Sequence, residues 1–244
     1  MVNCKDKVAV VTGAAGKGMG RSIALTLARE GAKVVVNYRK SRDSAQAIVD
    51  HIAARGGQAV AAQADVFTSE GCRSLVKSAC DRFGQVDLCV IGPGAGWHPE
   101  PPDRLNASAA LEDAHAELAP IYHLLPLVLP GMYERKWGRI IGISLLPPFD
   151  SPAYAYNVAK AARTRALLAL RPAAWKHGVT VNIIAPGPIG EIENLTQAIE
   201  QCDHGAAWMD RGATSPQDVA EGVAFLCSDA SGFVSGCELP YLYR

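Results

Sequence analysis

The fold is decided by one glycine-rich stretch near the N-terminus, Thr12-Gly13-Ala14-Ala15-Gly16-Lys17-Gly18-Met19-Gly20. Residues 7–11 before it are Val-rich and almost continuously apolar, as in a strand buried on both faces of a parallel sheet. Residues 21–30 after it have helical spacing and stop at Gly31. Glycines leave room for the backbone to approach a phosphate, and a helix start offers unpaired N–H groups. The stretch predicts a nucleotide-binding turn, and a tight connection without a ligand is the alternative.

Alternation of short strands with helices continues to the end of the chain, which predicts an α/β fold with a doubly wound, Rossmann-like parallel sheet of about seven strands in three layers. The predicted strands are 7–11, 33–37, 58–65, 86–91, 138–144, 179–185 and 235–242. The predicted helices are 21–30, 41–55, 69–83, 108–136 (broken near Pro120 and Pro130), 153–177 (kinked or ended early by Pro172), 191–204 and one that Ser215-Pro216 starts, with Val219, Val223, Phe225 and Leu226 facing inward.

Composition narrows the possible functions. The 244 residues are 49% hydrophobic, so we expect one domain over residues 1–244. Basic and acidic residues balance at 24 each, which argues against nucleic acid or an anionic membrane as partner and favours a small molecule. No apolar run reaches the roughly 20 residues of a membrane-spanning helix, and the first residues lack the apolar core of a signal peptide. We therefore expect a cytoplasmic protein whose seven scattered cysteines are mostly reduced.

The longest loop follows the fourth predicted strand, at residues 92–102. In parallel sheets the carboxyl ends of the strands border the ligand crevice, so this loop and Ser144, which ends the fifth predicted strand, should lie at that crevice. Trp97 and His98 either line a substrate pocket or lie in a solvent-exposed loop. None of the six histidines has the spacing of a metal site, so we predict no metal.

Tyr156 and Lys160 are four residues apart and therefore share one face of the predicted helix. A nearby ammonium stabilises a phenolate, whose parent tyrosine has a pKa of about 10. The pair predicts a proton-transfer site, against the alternative that it merely decorates an exposed helix. Tyr154 fits less well because Val158 stands four residues after it.

With this Tyr-x-x-x-Lys pair and the glycine-rich turn, the chain resembles the short-chain dehydrogenase/reductase family. The resemblance covers nearly the whole chain. The resemblance implies hydride transfer between a nicotinamide and a carbonyl or alcohol carbon, with Tyr156 as general acid or base, Lys160 beside it, and a homo-oligomer (dimer or tetramer). A 3-oxoacyl thioester is one substrate that it suggests. The cofactor-binding positions that it implies are Gly13, Lys17, Gly18, Met19, Gly20, Asp65, Val66, Gly92, Pro186, Gly187 and Ile189.

Several positions depart from the family pattern. The turn carries a one-residue insertion, Ile91-Gly92-Pro93-Gly94 replaces the usual Asn-Asn-Ala-Gly, and Glu117 stands where a relay asparagine is common. Leu145 occupies the usual place of the catalytic serine, with Ser144 one residue earlier. We expect Ser144 to turn towards Tyr156 and contact the substrate region. The competing hypothesis is a nucleotide-binding scaffold or regulatory subunit with reduced or lost catalysis.

The end of the second strand predicts the cofactor. Dinucleotide sites that prefer NAD usually carry an acidic residue there to bind the ribose 2′-hydroxyl. This chain has Asn37-Tyr38-Arg39-Lys40 instead. Arg39 and Lys17 can pair with a 2′-phosphate. Asn37 and Arg39 therefore join the predicted cofactor-binding residues, and we expect NADP(H) in preference to NAD(H).

Overall fold

Short strands rich in Val and Ile form one parallel sheet in this computed structural model, which describes residues 2–97, 99–145, 152–205 and 213–241. Within these residues the sheet has seven strands in the order β3-β2-β1-β4-β5-β6-β7, and every neighbouring pair is parallel. The strands are β1 Val8–Val11, β2 Lys33–Tyr38, β3 Ala59–Gln63, β4 Leu88–Ile91, β5 Gly138–Ile143, β6 Val179–Pro186 and β7 Glu238–Tyr241. The predicted doubly wound α/β class is confirmed.

Helices cover both faces of the sheet. They are α1 Met19–Arg29, α2 Arg42–Ala54, α3 Ser69–Phe83, α4 Ala107–Glu134, α5 Tyr154–Leu168, α6 Arg171–Trp175, α7 Leu195–His204 and α8 Pro216–Cys227. Buried side chains from α1, α2, α7 and α8 pack on one face of the sheet, and those from α3, α4, α5 and α6 pack on the other. The result is the predicted three-layer architecture.

Helix α4 is continuous, so the prediction that it breaks near Pro120 and Pro130 is wrong. Pro126 and Pro130 lie on its exposed side, as does Tyr122 one turn earlier. A carbonyl that a proline leaves without its helical donor can bind water there, which lowers the cost of keeping the helix. Packing of α4 along α5 and α3 then outweighs that cost.

Other boundaries agree more closely with the sequence. The long helical region does end before Pro172, which lies in the first turn of the separate helix α6. Helix α7 begins at Leu195 rather than at residue 191, and Leu242 of the predicted last strand lies outside the described residues. Ser215 caps α8 in a capping box with Asp218, as expected.

One inward-facing assignment on α8 is wrong. Val219, Val223 and Leu226 are buried, but Phe225 is 39% exposed. Successive residues of a helix are about 100° apart, so Phe225 points away from the buried face that Leu226 and Val223 share. The seven cysteines are all free thiols, and five of them are buried.

The topology brings all the predicted site residues to one edge. Because the strands are parallel, their carboxyl ends lie together, and the described residues that follow β1, β2, β3, β4, β5 and β6 begin at that edge. Among the described residues no helix is long and apolar enough to cross a membrane.

Candidate active site

The glycine-rich turn after β1 requires glycine for steric reasons at two positions. Gly13 has a φ of 63°, in the left-handed region that side chains disfavour. A Cβ on Gly20 would lie 2.5 Å from the carbonyl oxygen of Gly13. The turn is also tied to its neighbour, because Thr12 Oγ1 accepts the N–H of Gly92 at 2.9 Å. These contacts hold the backbone close to the sheet edge.

The start of α1 fits a phosphate-bearing cofactor. Gly18 is the N-cap residue and no side chain caps the helix, so the backbone N–H groups of its first turn are available to an anion. Arg21 is buried, and its Nη1 has no hydrogen-bond partner among the residues that the structure describes. Burial without a partner lowers the pKa of this guanidinium. A cleft of about 510 Å³ lies beside it, lined among others by Lys17, Ser41, Asp43, Ser44, Glu193 and Asn194.

Asn37 lies behind the turn. Its Oδ1 accepts the N–H of Gly13 at 3.0 Å, and its Nδ2 donates to the carbonyl of Ala64 at 3.1 Å. The side chain is buried, so these bonds connect β2 to the turn and to the end of β3. The Asn37 amide is therefore used within the protein, and contact of Asn37 with the cofactor stays a prediction.

Arg39 and Asp65 face each other at the ends of β2 and β3. Arg39 Nη1 lies 3.9 Å from Asp65 Oδ2, and both side chains are about half exposed. Asp65 Oδ1 also accepts the N–H of Phe67, while Val66 is buried next to it. At 3.9 Å the ion pair is too long for a hydrogen bond, so the Arg39 donors can turn to another anion.

The loop after β6 completes this edge. Pro186 is the last residue of β6, and the N–H of Gly187 donates to the carbonyl of Tyr241 at 3.2 Å. Ile189 forms an isolated bridge with Thr214. The implied cofactor positions Gly13, Lys17, Gly18, Met19, Gly20, Asp65, Val66, Gly92, Pro186, Gly187 and Ile189 thus follow strand ends of one sheet edge or start α1. Binding at these positions stays a prediction.

Tyr156 and Lys160 lie where the sequence places them, in the first two turns of α5. Lys160 Nζ is 5.3 Å from the centroid of the Tyr156 ring. Trp97 packs edge-on against the same ring, with centroids 5.4 Å apart and an interplanar angle of 89°. Trp97 is 58% exposed, so it stands between Tyr156 and solvent. His98 lies outside the described residues.

Glu117 changes the electrostatics of this pair. Its Oε1 lies 2.9 Å from Lys160 Nζ, and its Oε2 lies 2.7 Å from Arg163 Nη1. The N–H of Ala95 donates to Oε1 at 2.8 Å. Glu117 and Arg163 are completely buried, and Lys160 nearly so. We call Glu117, Lys160 and Arg163 the buried ion cluster.

The cluster opposes the expected activation of Tyr156. Burial and then the Glu117 charge raise the pKa of Tyr156 to about 12, against a smaller lowering by Arg163. Burial lowers the pKa of Lys160, and Glu117 only partly offsets this. Burial alone would raise the pKa of Glu117, but the charges of Lys160 and Arg163 hold it below its ordinary value. The expectation of a tyrosine acidified by Lys160 is therefore wrong in this structure, because burial disfavours the phenolate and Glu117 places a negative charge near it.

The Ser144 hydroxyl points to α5. Its Oγ donates to the Lys160 carbonyl at 3.1 Å and accepts the Thr164 hydroxyl at 2.7 Å. Ser144 is buried and Leu145 is partly buried. The orientation expected for Ser144, towards Tyr156, is therefore not the one found, because its hydroxyl is occupied by these two partners. Pro147 and Pro148 of the following loop lie outside the described residues.

Sequence reasoning missed Arg163, although a signal was present. Tyr156, Lys160 and Arg163 are spaced by four and three residues, so they share one helix face. A second basic residue on a face directed to the sheet edge needs an acidic partner, because an unpaired buried charge is very costly. Glu117 was the obvious candidate. Arg21 was missed as well, and so was the close packing of Gly94 on Glu117.

Comparison with known proteins identifies the family. Residues 13–241 match the family described as enoyl-(acyl carrier protein) reductase. The chain belongs to the short-chain dehydrogenase/reductase family. It is thus an NAD(P)-dependent oxidoreductase that transfers a hydride between a nicotinamide and a carbonyl or alcohol carbon, and nothing in the comparisons supports the scaffold hypothesis.

Relatives cover nearly the full length. A 3-oxoacyl-[acyl-carrier-protein] reductase of Synechocystis sp. is 34% identical over 94% of this chain and 93% of its own length. One from Staphylococcus epidermidis is 33% identical over 95% of each chain. Among solved structures, a 7α-hydroxysteroid dehydrogenase complexed with NADH and 7-oxo glycochenodeoxycholic acid is 28% identical with a TM-score of 0.84, covering 98% of this chain and 94% of that one. A hydroxysteroid dehydrogenase from Escherichia coli is 30% identical with a TM-score of 0.82, covering 98% and 96%.

Proposed function

We propose that this protein is an NADP(H)-dependent ketone reductase, or alcohol dehydrogenase in the reverse direction, in which Tyr156 transfers the proton. The observation that carries the proposal is the Tyr156 and Lys160 pair on α5, beside Trp97 and at the sheet edge that bears the glycine-rich turn. When bound, the nicotinamide supplies or accepts the hydride.

Tyr156 is well suited to donate a proton. With its pKa raised to about 12, it is protonated at neutral pH and hydrogen-bonds a carbonyl oxygen as a neutral phenol. Trp97 shields one edge of the ring from water. Because Ser144 is bonded to α5, the carbonyl oxygen would lose that donor, and one such donor is worth about 10²–10³ in rate. We therefore expect a slower enzyme than relatives with the usual serine.

Replacing Tyr156 with Phe tests the role of its hydroxyl. The variant keeps the ring against Trp97 and removes the proton, so turnover should fall by about 10²–10⁴ while cofactor binding stays within about threefold. Phe in place of Tyr154, which is exposed and near the start of the same helix, is the matched control. Full turnover by Tyr156→Phe would refute the assignment of the proton donor.

The cofactor preference follows from the charge at the end of β2. Tyr38 ends that strand, no acidic residue stands at residues 37–40, and the Arg39 donors are only loosely engaged by Asp65. Lys17 and Arg21 add positive charge to the cleft beside α1, although Asp43 and Glu193 line it too. The balance at β2 favours a 2′-phosphate over a 2′-hydroxyl.

Fluorescence titration with NADPH and NADH tests this preference. We expect tighter binding of NADPH, and Arg39→Asp should weaken NADPH by at least about tenfold while changing NADH much less. Arg82→Asp, on the exposed side of α3, controls for the change in net charge. Tighter binding of NADH by the unmodified protein would refute the preference.

For the substrate, we propose a ketone in the class of 3-oxoacyl thioesters. The two relatives named above support this class by their names, while the steroid complex shows that a similar fold accepts a larger ketone. Initial rates with acetoacetyl-CoA, simple ketones and a 7-oxo steroid separate these classes. A rate on the steroid at least tenfold above that on the thioester would overturn the choice.

We also propose a homo-oligomer that buries the outer face of α4 and α5. That face exposes Leu111, Tyr122, Tyr154 and Val158, large apolar side chains on two helices that pack side by side. Asp at Tyr122 and Val158 together should reduce the mass seen by light scattering to that of one chain. Phe233→Asp, an exposed apolar residue elsewhere, is the comparison. A cytoplasmic location remains a prediction from the sequence.

A further inference from the structure

Positions that depart from the family pattern are physically connected here. Arg163 Nη1 donates to the carbonyl of Pro93 at 2.8 Å, and its Nη2 donates to that of Ile91 at 2.9 Å. The same guanidinium pairs with Glu117. Glu117 in turn accepts the N–H of Ala95. The loop 91–95 is thus held at three backbone groups by two side chains of the buried ion cluster.

Gly94 belongs to the same arrangement. A Cβ at this position would lie 2.3 Å from both carboxylate oxygens of Glu117. Glycine therefore lets the loop cross the carboxylate without displacing it, and the N–H of the next residue is close enough to donate to it. The two departures from the family pattern are therefore linked. The small residue Gly94 leaves space for the Glu117 carboxylate, and Glu117 in turn binds the N–H of the next residue of the loop.

Glu117 acts here as a fixed charge rather than as a carrier of protons. Two cations within hydrogen-bond distance keep it ionised, so it does not accept a proton at neutral pH. The charged groups that act on Tyr156 are Glu117 and Asp113 from α4 and Arg163 from α5, with Lys160 near its ring. The two acids favour the neutral phenol, whereas Arg163 favours the phenolate.

We propose that Arg163 is a positioning residue that balances the charge of Glu117 beside Lys160 and Tyr156 and fixes the loop 91–95 at the edge of the active site. Glu117 and Arg163 then function as one unit. Loss of Glu117 alone lowers the pKa of Tyr156, and loss of Arg163 alone raises it. This inference rests on the proposed role of Tyr156 as the group that transfers the proton.

The pH dependence of alcohol oxidation tests the balance of charge, because that direction needs Tyr156 deprotonated. Arg163→Met removes a cation and should move the acidic limb of the kcat profile up by about one pH unit or more. Glu117→Gln removes an anion and should move it down by a similar amount. The double variant should return to within about half a unit of the unmodified enzyme. Arg82→Met and Glu112→Gln, at exposed positions on α3 and α4, should move nothing.

A spectroscopic readout does not depend on turnover. Tyrosinate absorbance is titrated in Glu117→Gln and in Glu117→Gln/Tyr156→Phe, and the difference reports Tyr156 alone. Its midpoint should fall clearly below the midpoint that the same difference, unmodified protein minus Tyr156→Phe, gives with Glu117 present, where burial and the Glu117 charge raise the pKa of Tyr156. A difference spectrum whose midpoint does not fall would overturn the inference.

Arg163→Lys separates charge from geometry and covers the case in which Arg163→Met fails to fold. Lysine keeps the cation but cannot bridge Glu117, Pro93 and Ile91 together. We expect an unshifted pH profile with a KM for the cofactor raised by about threefold or more, because the loop 91–95 is less well held. A lysine variant identical to the unmodified enzyme in both respects would contradict the positioning role.

The two proposals fail in distinguishable ways. Full activity of Tyr156→Phe defeats the proposed function. An inactive Tyr156→Phe together with pH profiles that stay unchanged, or move in the same direction, in Glu117→Gln and Arg163→Met defeats the inference alone. A merely structural role for Arg163 would lower kcat or stability without opposite displacements of the profile.

Discussion

Two neighbouring loops at the same sheet edge are anchored by different means. The turn after β1 is held by a neutral side chain, since Asn37 binds the N–H of Gly13. The loop after β4 is held by charges, through Arg163 and Glu117. The loops touch, because a Cβ on Gly13 would lie 2.7 Å from Pro93 Cγ. The Asn37 amide does not titrate, so its hydrogen bond to the first loop does not depend on pH. The ionic contacts of the second loop depend on the protonation states of the side chains that form them.

This difference assigns separate roles to the two regions. The neutral anchor fixes the backbone for a ligand whose charge it need not sense. The buried ion cluster adjoins Tyr156, the proposed proton-transfer residue, so the same side chains hold the loop and act on the pKa of Tyr156. Substitutions in the first region should change cofactor affinity without changing the dependence on pH, whereas those that remove a charge in the second region should change the dependence on pH.

The largest loss in the free energy of unfolding is expected from neutralising Glu117. Glu117→Gln leaves Arg163 and Lys160 without their carboxylate partner, and breaking a buried ion pair costs about 3–5 kcal/mol. Chemical denaturation at pH 7 measures this loss. Glu112→Gln, one exposed position on the same helix, should cost less than about 0.5 kcal/mol.

The same pair of proteins gives a pH test of stability. The pKa of Glu117 is lower in the fold than its ordinary value of 4.5. Its contribution to stability is therefore complete above about pH 4.5 and is lost as the pH falls through the folded-state pKa. The gap between the unmodified protein and Glu117→Gln should narrow below that pH. A gap that stays constant down to the acid limit of folding would show that the carboxylate charge contributes nothing.

Adding one methyl group to each loop should separate their roles at a smaller cost. Gly20→Ala drives a Cβ against the Gly13 carbonyl, and Gly94→Ala drives one against the Glu117 carboxylate. Each should cost about 1–3 kcal/mol. We expect weaker cofactor binding from the first and a displaced pH profile from the second. Gly18→Ala and Gly96→Ala, where a Cβ would lie within 4 Å of no described residue other than its chain neighbours, are the stability controls in the same loops.

The sequence predicted the sheet and its edge because local patterns determine them. Val-rich strands and helical spacing suffice for element order, and parallel strands bring their ends together. The ion cluster needed contacts between α4, α5 and the loop after β4, which no local pattern contains. In the sequence alone, Glu117 is a departure from the family pattern that suggests impaired catalysis, because its ion pair with Arg163 is visible only in the folded structure. The continuous α4 was missed for a similar reason, since exposure of Pro126 and Pro130 depends on tertiary packing.

Removing the neutral anchor should have a moderate effect. Asn37→Ala leaves the N–H of Gly13 and the carbonyl of Ala64 without their partner, at a cost of about 1–3 kcal/mol. Cofactor affinity should fall by about tenfold with an unchanged pH profile. Gln46→Ala, which removes an exposed amide on α2 that bonds Asp50 of the same helix, is the control. A displaced pH profile in Asn37→Ala would show that the two regions are not electrically separate.

The smallest effect is expected at Ser144. Its hydroxyl joins β5 to α5 through the Lys160 carbonyl and Thr164, so Ser144→Ala should cost about 0.5–1.5 kcal/mol of stability. Thr164 can then donate to the Lys160 carbonyl one turn earlier, which limits the loss. Because the hydroxyl faces α5 rather than Tyr156, kcat/KM should stay within about threefold. A fall of about 10²–10³ at unchanged stability would instead mean that Ser144 leaves α5 during turnover and binds the carbonyl oxygen. Ser144 would then act as the hydrogen-bond donor to the carbonyl oxygen, although its hydroxyl faces α5 in this structure. The prediction of a slower enzyme than relatives with the usual serine would also be wrong.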